Sequence, residues 1–236
     1  MRNNFYSKSK NKIDLSFVSP VYNSEEILEN LVKNIIFRAN QLKRSYEIIL
    51  IDDYSFDNSY LELKKIKKKF NDINIKIFRN KTNIGQHKTI FRLIKKSKGS
   101  KILIFDCDFV KELNFLNNFF KKKFNDCNAV VAKYSNKKKN IYSKIFWYIL
   151  TFLLKKKFDT NLSNFILIDH KTKKQLLKIP YSLFELLIVE LYILNIKKGF
   201  IKLPIKNDLR KSNYNPLKAC FLAFKIFYNY VFLRKI

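Results

Sequence analysis

The sequence predicts an α/β fold, a mostly parallel sheet with helices on both faces. Two observations carry this. Over residues 13–132 short apolar runs alternate with longer amphipathic stretches, the order that builds parallel strands joined by crossover helices. The polar clusters of this region, around Pro20, Asp52, Asn83 and Asp106, fall just after these runs or in the loop leading to the next helix. In open α/β sheets that is the edge where ligands bind.

The elements follow in order. Residues 13–19 form a buried apolar strand, and Pro20-Val21-Tyr22-Asn23 reads as a turn. Ser24 is an N-cap with Glu25 and Glu26 in the first helical turn, where carboxylates favour the helix dipole. That helix runs to residue 43. A second strand, 46–51, ends in Asp52-Asp53, and Asp57 caps a helix to residue 70. Strand 74–78 leads through Asn83 and Gly85, suited to a tight turn, into a helix ending near residue 97. Strand 101–105 ends in acid again, Asp106-Cys107-Asp108. A helix over 112–124 and a strand over 129–132 complete the regular half. Beyond it the pattern predicts an aromatic amphipathic helix over 141–158, a strand at 165–168, helices over 171–178 and 182–197, a short strand at 201–204 and a largely apolar helix over 215–234.

Composition excludes several classes. The chain has 236 residues, 47% hydrophobic and 16% aromatic, enough for one sizeable core and too apolar for a disordered protein. Three glycines and four prolines exclude collagen-like and linker-rich readings. Lys and Arg number 48 against 19 Asp and Glu, a net charge of +29. Part of this is the Lys-, Asn-, Ile- and Phe-rich bias of AT-rich coding sequence, yet the basic surface still favours anionic partners. No RNP-like, helix-turn-helix or zinc pattern is present, so the charge predicts only salt-sensitive, non-specific binding of nucleic acid. Cys107, Cys127 and Cys220, with no CxxC pair, argue against a disulfide framework or a zinc site and fit a reducing compartment. Residues 1–12 are basic and lack an apolar h-region, the character of a disordered leader rather than a signal peptide. No run reaches the roughly 18 apolar residues of a spanning helix. The longest, IFWYILTFLL, suits a core or a membrane surface.

Chemistry concentrates in the acidic loops. Asp106 and Asp108, one residue apart at a strand end, can hold a hard cation such as Mg²⁺ or Mn²⁺ and leave positions open for phosphate oxygens. Asp52 and Asp53 are placed to recognise a nucleoside through its base or ribose hydroxyls, as acids at strand ends do in dinucleotide-binding folds. His87, Asp159, Glu185 and Glu190 are further candidates, whereas His170 receives no role. Residues 142–154 carry Phe146, Trp147, Tyr148 and Phe152 between lysines, the composition of a helix lying at a bilayer interface.

The motifs Pro20-Val21-Tyr22-Asn23, Asp52-Asp53-x-Ser55-x-Asp57, Asn83-x-Gly85-Gln86-His87 and Asp106-x-Asp108 occur in the order and spacing of family 2 glycosyltransferases. The combination resembles most the polyprenyl-phosphate branch, which includes dolichyl-phosphate mannose synthases, bactoprenol glucosyltransferases and undecaprenyl-phosphate aminoarabinose transferases. The stretch NIGQHKTIFRLIKKSKGSKILIFDCD is similar to the region between the Asn-x-Gly-Gln and metal motifs of those enzymes, and Arg210-Lys211-Ser212-Asn213-Tyr214 resembles their Arg-x-x-Gly-x-Ser-x-Tyr element. Two departures stand out. Phe109-Val110 replaces the usual Leu-Gln after the second metal Asp, and the element at Arg210 is shorter and lacks its Gly. These departures leave room for a degenerate, non-catalytic homologue.

The resemblance implies a GT-A fold, a Rossmann-like sheet with amphipathic C-terminal helices, in one domain over 13–236. Residues 13–135 would bind a nucleotide-sugar donor, and 136–236 would face acceptor or membrane. By position Pro20, Tyr22, Asn23, Asp52 and Asp53 would contact the nucleoside. Gly85, Gln86 and His87 would line the donor site. Asp106 and Asp108 would hold the metal beside the diphosphate, Arg210 and Ser212 would close over the phosphates, and Asp159 would line the acceptor side. A polyprenyl-phosphate acceptor is already ionised near pH 7 and needs no general base, and transfer would invert the anomeric centre. The protein would sit peripherally at the cytoplasmic, inner face of the membrane, alone or with a membrane-protein partner. If the acceptor is instead a glycan hydroxyl, a base is needed, and Asp159, Glu185 and Glu190 are its candidates.

Overall fold

The computed structural model describes residues 13–121, 127–135, 141–159, 161–204 and 216–233. Seven strands, β1 (Leu15–Val21), β2 (Tyr46–Asp52), β3 (Ile75–Arg79), β4 (Lys101–Ile104), β5 (Ala129–Tyr134), β6 (Leu162–Asp169) and β7 (Lys198–Leu203), form one sheet in the order β3-β2-β1-β4-β6-β5-β7. β1 to β4 are mutually parallel, and β5 is parallel to β7. β6 runs antiparallel to both β4 and β5, so it alone points the other way. The chain steps outward from β1 to β2 and β3, then returns to place β4 on the other side of β1. That reversal is the topological switch point of the sheet.

Both sheet faces are covered. On one, α1 (Glu25–Gln41), α2 (Ser59–Lys69), a 3₁₀ turn (Glu112–Phe115) and α4 (Leu116–Lys121) pack Leu28, Leu31, Ile35, Leu63 and Leu116 against Phe17, Ile48, Leu50, Leu103 and Phe165. On the other, α3 (Gln86–Lys96), α5 (Ile141–Leu154), α7 (Leu187–Ile193) and α8 (Pro216–Tyr228) pack Ile90, Leu93, Phe146, Leu150, Leu191 and Ile226 against Val18, Ile49, Ile51, Ile102 and Ile166. Neighbours such as Phe17 and Val18, or Ile48 and Ile49, serve opposite faces. Burial on both sides is why these strands read as unbroken apolar runs. α6 (His170–Leu176) is capped by Asp169, whose side chain accepts from the Thr172 N–H at 2.7 Å.

Some sequence expectations change. Pro20 and Val21 belong to β1 rather than to a turn. Pro20 tolerates a central strand because pairing of β1 with β4 stops at Val18 and Ile104, while the Val21 carbonyl faces β2 and accepts from the Asp53 N–H at 2.8 Å. Ser24 sits at the N-cap of α1 without capping it, since its hydroxyl bonds the Tyr22 carbonyl. Asp57 precedes Asn58, the N-cap of α2, and takes two N–H groups, from Ser59 and from Glu25 in the first turn of α1. The expected helix over 182–197 is a 3₁₀ turn (Tyr181–Leu183) followed by the shorter α7. Glu185 and Glu190 are both largely buried. Among the described residues no helix is long and apolar enough to cross a membrane.

The amino edge of the sheet is fixed by one buried carboxylate. Glu47 at the start of β2 accepts from the Ser16 hydroxyl (2.6 Å), the Lys98 N–H and the Lys76 ammonium. Burial opposes ionisation of Glu47, but these donors outweigh it and leave the carboxyl below its ordinary value. Gly99 N–H donates to the same Ser16 hydroxyl at 2.8 Å. The network therefore sets β1, β2, β3 and the turn into β4 in register before the chain reaches the opposite edge.

Candidate active site

At the carboxyl edge the loops following β1, β2, β3 and β4 are tied to one another by side chains. Asn23, in the left-handed region at φ 46°, receives the Phe56 N–H on its Oδ1 and gives its own N–H to Ser55 Oγ. The Ser24 N–H reaches Ser59 Oγ at 2.8 Å. These bonds clamp the β1 loop to the β2 loop and display Tyr22 and Phe56 side by side, ring centroids 6.3 Å apart and both exposed.

Asp52 and Asp53 have different duties. Asp52 is fully buried, pairs with Arg79 Nε at 3.0 Å and accepts from the Ser55 N–H. Arg79 also lies over the rings of Tyr54 and Tyr60. Asp52 is thus engaged in holding β3 and the β2 loop together. Asp53 Oδ1 accepts from Asn80 Nδ2 at 2.6 Å and from the Ile84 N–H at 3.0 Å. Asn80 in turn bonds Thr89 and Arg92 of α3. This relay orients Asp53 from below, and neither Asn80 nor Arg92 was among the sequence candidates. The signal was present, since Asn80 directly follows a strand, as the other polar clusters do.

The β3–α3 loop closes on β4. Asn83 Oδ1 accepts the Gly85 N–H, and Gly85 takes φ 86° and ψ 152°, open to glycine alone. That turn delivers Gln86, whose amide donates to Asp106 Oδ1. Asp106 Oδ2 accepts from Asn164 Nδ2 at 3.1 Å. The β4–β6 register, Ile104 opposite Ile166, puts Asn164 directly across from Asp106. A polar residue inside the apolar strand LSNFILID was the cue that sequence reading missed. Cys107 is turned inward and its thiol reaches Ser24 Oγ at 3.2 Å, with burial holding its pKa up. Asp108 is half-buried beside it. Phe109 packs on Phe165, and Val110 lies against the core.

His87 in the first turn of α3 has its Nδ1 shut off from solvent with no partner among the described residues, and burial pushes the imidazole down to about 4. It is a neutral ring at pH 7. Asp159 lies just before β6, at the same sheet edge, and its carboxylate pairs with Lys133 of β5 and accepts from the Asn161 N–H. Glu185 pairs with Lys225 at 3.0 Å and faces Lys88 at 3.9 Å, and Glu190 accepts from the Glu185 N–H. Arg210 and Ser212 lie outside the described residues.

The arrangement suits recognition of a phosphorylated ligand. Asp53 and Asp106 stand on either side of the switch point. Asp106 and Asp108 are two carboxylates on one turn, which could hold a divalent cation that completes its shell with a diphosphate. Among the described residues no third acid, His or Cys joins them. A cleft of about 420 Å³ between the first turns of α1 and α2 is lined by Glu25, Glu26 and Glu62. Asn58, Leu61 and Lys65 complete that lining.

Comparison with known proteins bears on the family and the fold. Residues 16–175 match the family model described as glycosyl transferase family 2. The undecaprenyl-phosphate 4-deoxy-4-formamido-L-arabinose transferase of Proteus mirabilis (strain HI4320) is 38% identical over 94 residues, a stretch amounting to 40% of this chain and only 28% of that protein. Among solved structures, mannosyl-3-phosphoglycerate synthase from Rubrobacter xylanophilus superposes with a TM-score of 0.69 at 11% identity, over 95% of this chain and 77% of that one. The mannosyltransferase PcManGT from Pyrobaculum calidifontis, in complex with GDP-Man and Mn²⁺, gives 0.58 at 14% identity, over 87% and 59%. S. aureus TarS 1–349 with UDP-GlcNAc gives 0.53 at 15% identity, over 90% and 66%. The sheet and its flanking helices are those of the GT-A glycosyltransferases, and the chain belongs to glycosyl transferase family 2.

Proposed function

We propose that this glycosyltransferase moves a sugar from a nucleoside-diphosphate donor to a polyprenyl phosphate at the inner face of a membrane, with inversion. The observation that carries the donor half is the pair of oriented acids, Asp53 and Asp106, on either side of the switch point. In this reading Pro20 backs the nucleoside pocket, Tyr22 and Asn23 line it, and Asp53 accepts from base or ribose. Gly85, Gln86 and His87 wall the donor sugar. Asp106 and Asp108 hold Mg²⁺ or Mn²⁺, which neutralises diphosphate charge when bound. Arg210 and Ser212 close over the phosphates, a guanidinium being suited to bidentate contact with phosphate oxygens.

An ionised acceptor phosphate oxygen attacks the anomeric carbon. The bond from that carbon to the β-phosphate oxygen breaks, and the nucleoside diphosphate departs. Positioning by the chain supplies much of the rate, since the nucleophile needs no proton removed. The state of the carboxylates outside the donor site supports this acceptor class. Asp159 and Glu185 are engaged by lysines and Glu190 is sealed in the core, which disfavours the glycan-hydroxyl alternative. The partial relative that acts on undecaprenyl phosphate points the same way.

The test is calorimetric titration of the purified protein with UDP-, GDP- and dTDP-linked sugars, with and without Mn²⁺. Cation-dependent binding of one nucleotide, lost in Asp108→Ala, is the expected result, and transfer to a short-chain polyprenyl phosphate follows from it. A well-folded sample that binds none of these overturns the reading in favour of a non-catalytic homologue.

A further inference from the structure

Nine of the fifteen exposed large apolar side chains among the described residues lie on one structural unit. They are Ile145, Tyr148 and Phe152 of α5, and Phe221, Phe224, Tyr228, Val231, Phe232 and Leu233 of α8 and the π-helical turn Asn229–Leu233 that extends it. Tyr148, Phe152 and Phe221 are each more than 70% exposed. The two helices touch one another and bury their opposite sides, Phe146, Leu150 and Leu154 of α5 and Ala223 and Ile226 of α8, in the same core. Their outward stripes therefore lie side by side and form one apolar face. A soluble surface rarely leaves so much contiguous apolar area uncovered.

Charge identifies what covers it. Neither α5 nor α8 with its extension contains an acidic residue. Lys144, Lys155 and Lys157 are exposed around α5, and Lys225 lies on α8. Aromatic rings with flanking lysines and no acids match the headgroup region of an anionic bilayer, where rings sit at the interface and lysines meet lipid phosphates. A protein partner or a second copy of this basic chain would have to supply compensating acid.

Topology places this face beside the site. α5 leaves the sheet after β5 and returns at β6, which runs the opposite way, so it begins and ends at the carboxyl edge. α8 follows β7, which also ends there. Lys225 of α8 reaches Glu185, and Glu185 faces Lys88 in the first turn of α3, two residues from Gln86, which bonds Asp106.

We propose that the joint outer face of α5 and α8 is a monolayer-docking surface for anionic lipid, which seats the carboxyl edge of the sheet at the headgroup level. The inference deepens the function proposed above and rests on it only for the lipid nature of the acceptor. Docking itself is independent of donor chemistry.

The experiment is co-sedimentation of the full chain with vesicles of phosphatidylcholine, with and without phosphatidylglycerol, alongside sedimentation velocity without lipid. Wild-type protein is expected to bind the anionic vesicles. Tyr148→Glu and Phe224→Glu should each lower partitioning about tenfold or more, because burying one large apolar side chain is worth at least one such step. Lys144→Gln with Lys157→Gln should lower binding to anionic vesicles about tenfold or more while leaving binding to neutral ones unchanged. Nucleotide titration of each variant checks that it is folded and tests the donor reading separately. Three results overturn the proposal: no vesicle binding, binding that salt abolishes and the Glu substitutions leave unchanged, or a lipid-independent dimer that Phe224→Glu dissociates.

Discussion

Gly99 is where the amino-edge network is most sensitive to a single atom. A Cβ built there would stand 2.6 Å from both the backbone nitrogen and the hydroxyl oxygen of Ser16 and 2.7 Å from the Lys101 carbonyl oxygen. Carbon does not approach such atoms within 3.0 Å, and two of the three belong to the backbone of paired strands, so Gly99→Ala must push the turn away from β1. Overpacking of this kind costs about 1–3 kcal/mol. The push also stretches the Gly99 N–H bond to Ser16 Oγ and disturbs a hydroxyl that serves the fully buried Glu47. A weakened buried hydrogen bond adds about 1 kcal/mol, so the expected total is about 2–4 kcal/mol. Urea unfolding followed by circular dichroism measures it as a lower midpoint at unchanged slope. A midpoint equal to the wild type would refute the packing argument and mean that the turn into β4 relaxes freely.

Three further outcomes follow from the site. Asn164→Ala removes a side-chain amide bonded to Asp106, and loss of such an orienting partner is expected to weaken cation-dependent nucleotide binding by about tenfold, with the melting temperature little changed; calorimetry on the variant decides. Arg79→Ala leaves the buried Asp52 without its counter-charge, a loss of about 3 kcal/mol measurable by denaturant unfolding. His87 is held neutral, its pKa lowered from 6.5 to about 4 by burial. Between those values the unfolded chain binds the proton and the folded one does not, so stability falls as pH drops from 6.5 to 4, by at most about 3 kcal/mol from this residue. His87→Gln should flatten that part of the stability–pH curve relative to wild type, and identical slopes would show that the ring protonates in place.

All seven strands were legible as short apolar runs bounded by polar residues, unbroken where both faces are buried, as in β1 and β2, and alternating at the edge strand β7. The helices of the first half were legible for the complementary reason, one apolar stripe apiece. What the pattern misjudged was local hydrogen bonding. Pro20 reads as a turn residue, yet β1 continues through it because its missing N–H faces past the end of β4. Ser24 and Asp57 both read as caps of their own helices. Asp57 does take the Ser59 N–H at the start of α2, but it also binds the first turn of α1, a contact across 32 residues that no local window contains. Glu185 and Glu190 sit in an apolar stretch that as a helix would turn them to solvent. The break between the 3₁₀ turn and α7 folds both inward, where Lys88 and Lys225 meet Glu185.

The site divides along the same line. Acids that terminate parallel strands announce themselves, because the chain must turn there and the side chains of Asp53 and Asp106 have nowhere to go but the edge. The residues that orient them announce themselves less: Asn80, just after β3, and Arg92 of α3 support Asp53, and Asn164 reaches Asp106 only because β6 runs backwards. That one reversed strand has a larger consequence. Had β6 been parallel, its first residues would lie at the amino edge, far from Asp106. Reversal brings Asn164, Asp159 and both ends of α5 to the edge where the donor loops converge. The strand that completes the acid site therefore also carries the apolar helix face toward it, the arrangement that the proposed transfer from a water-soluble donor to a lipid-held acceptor would need.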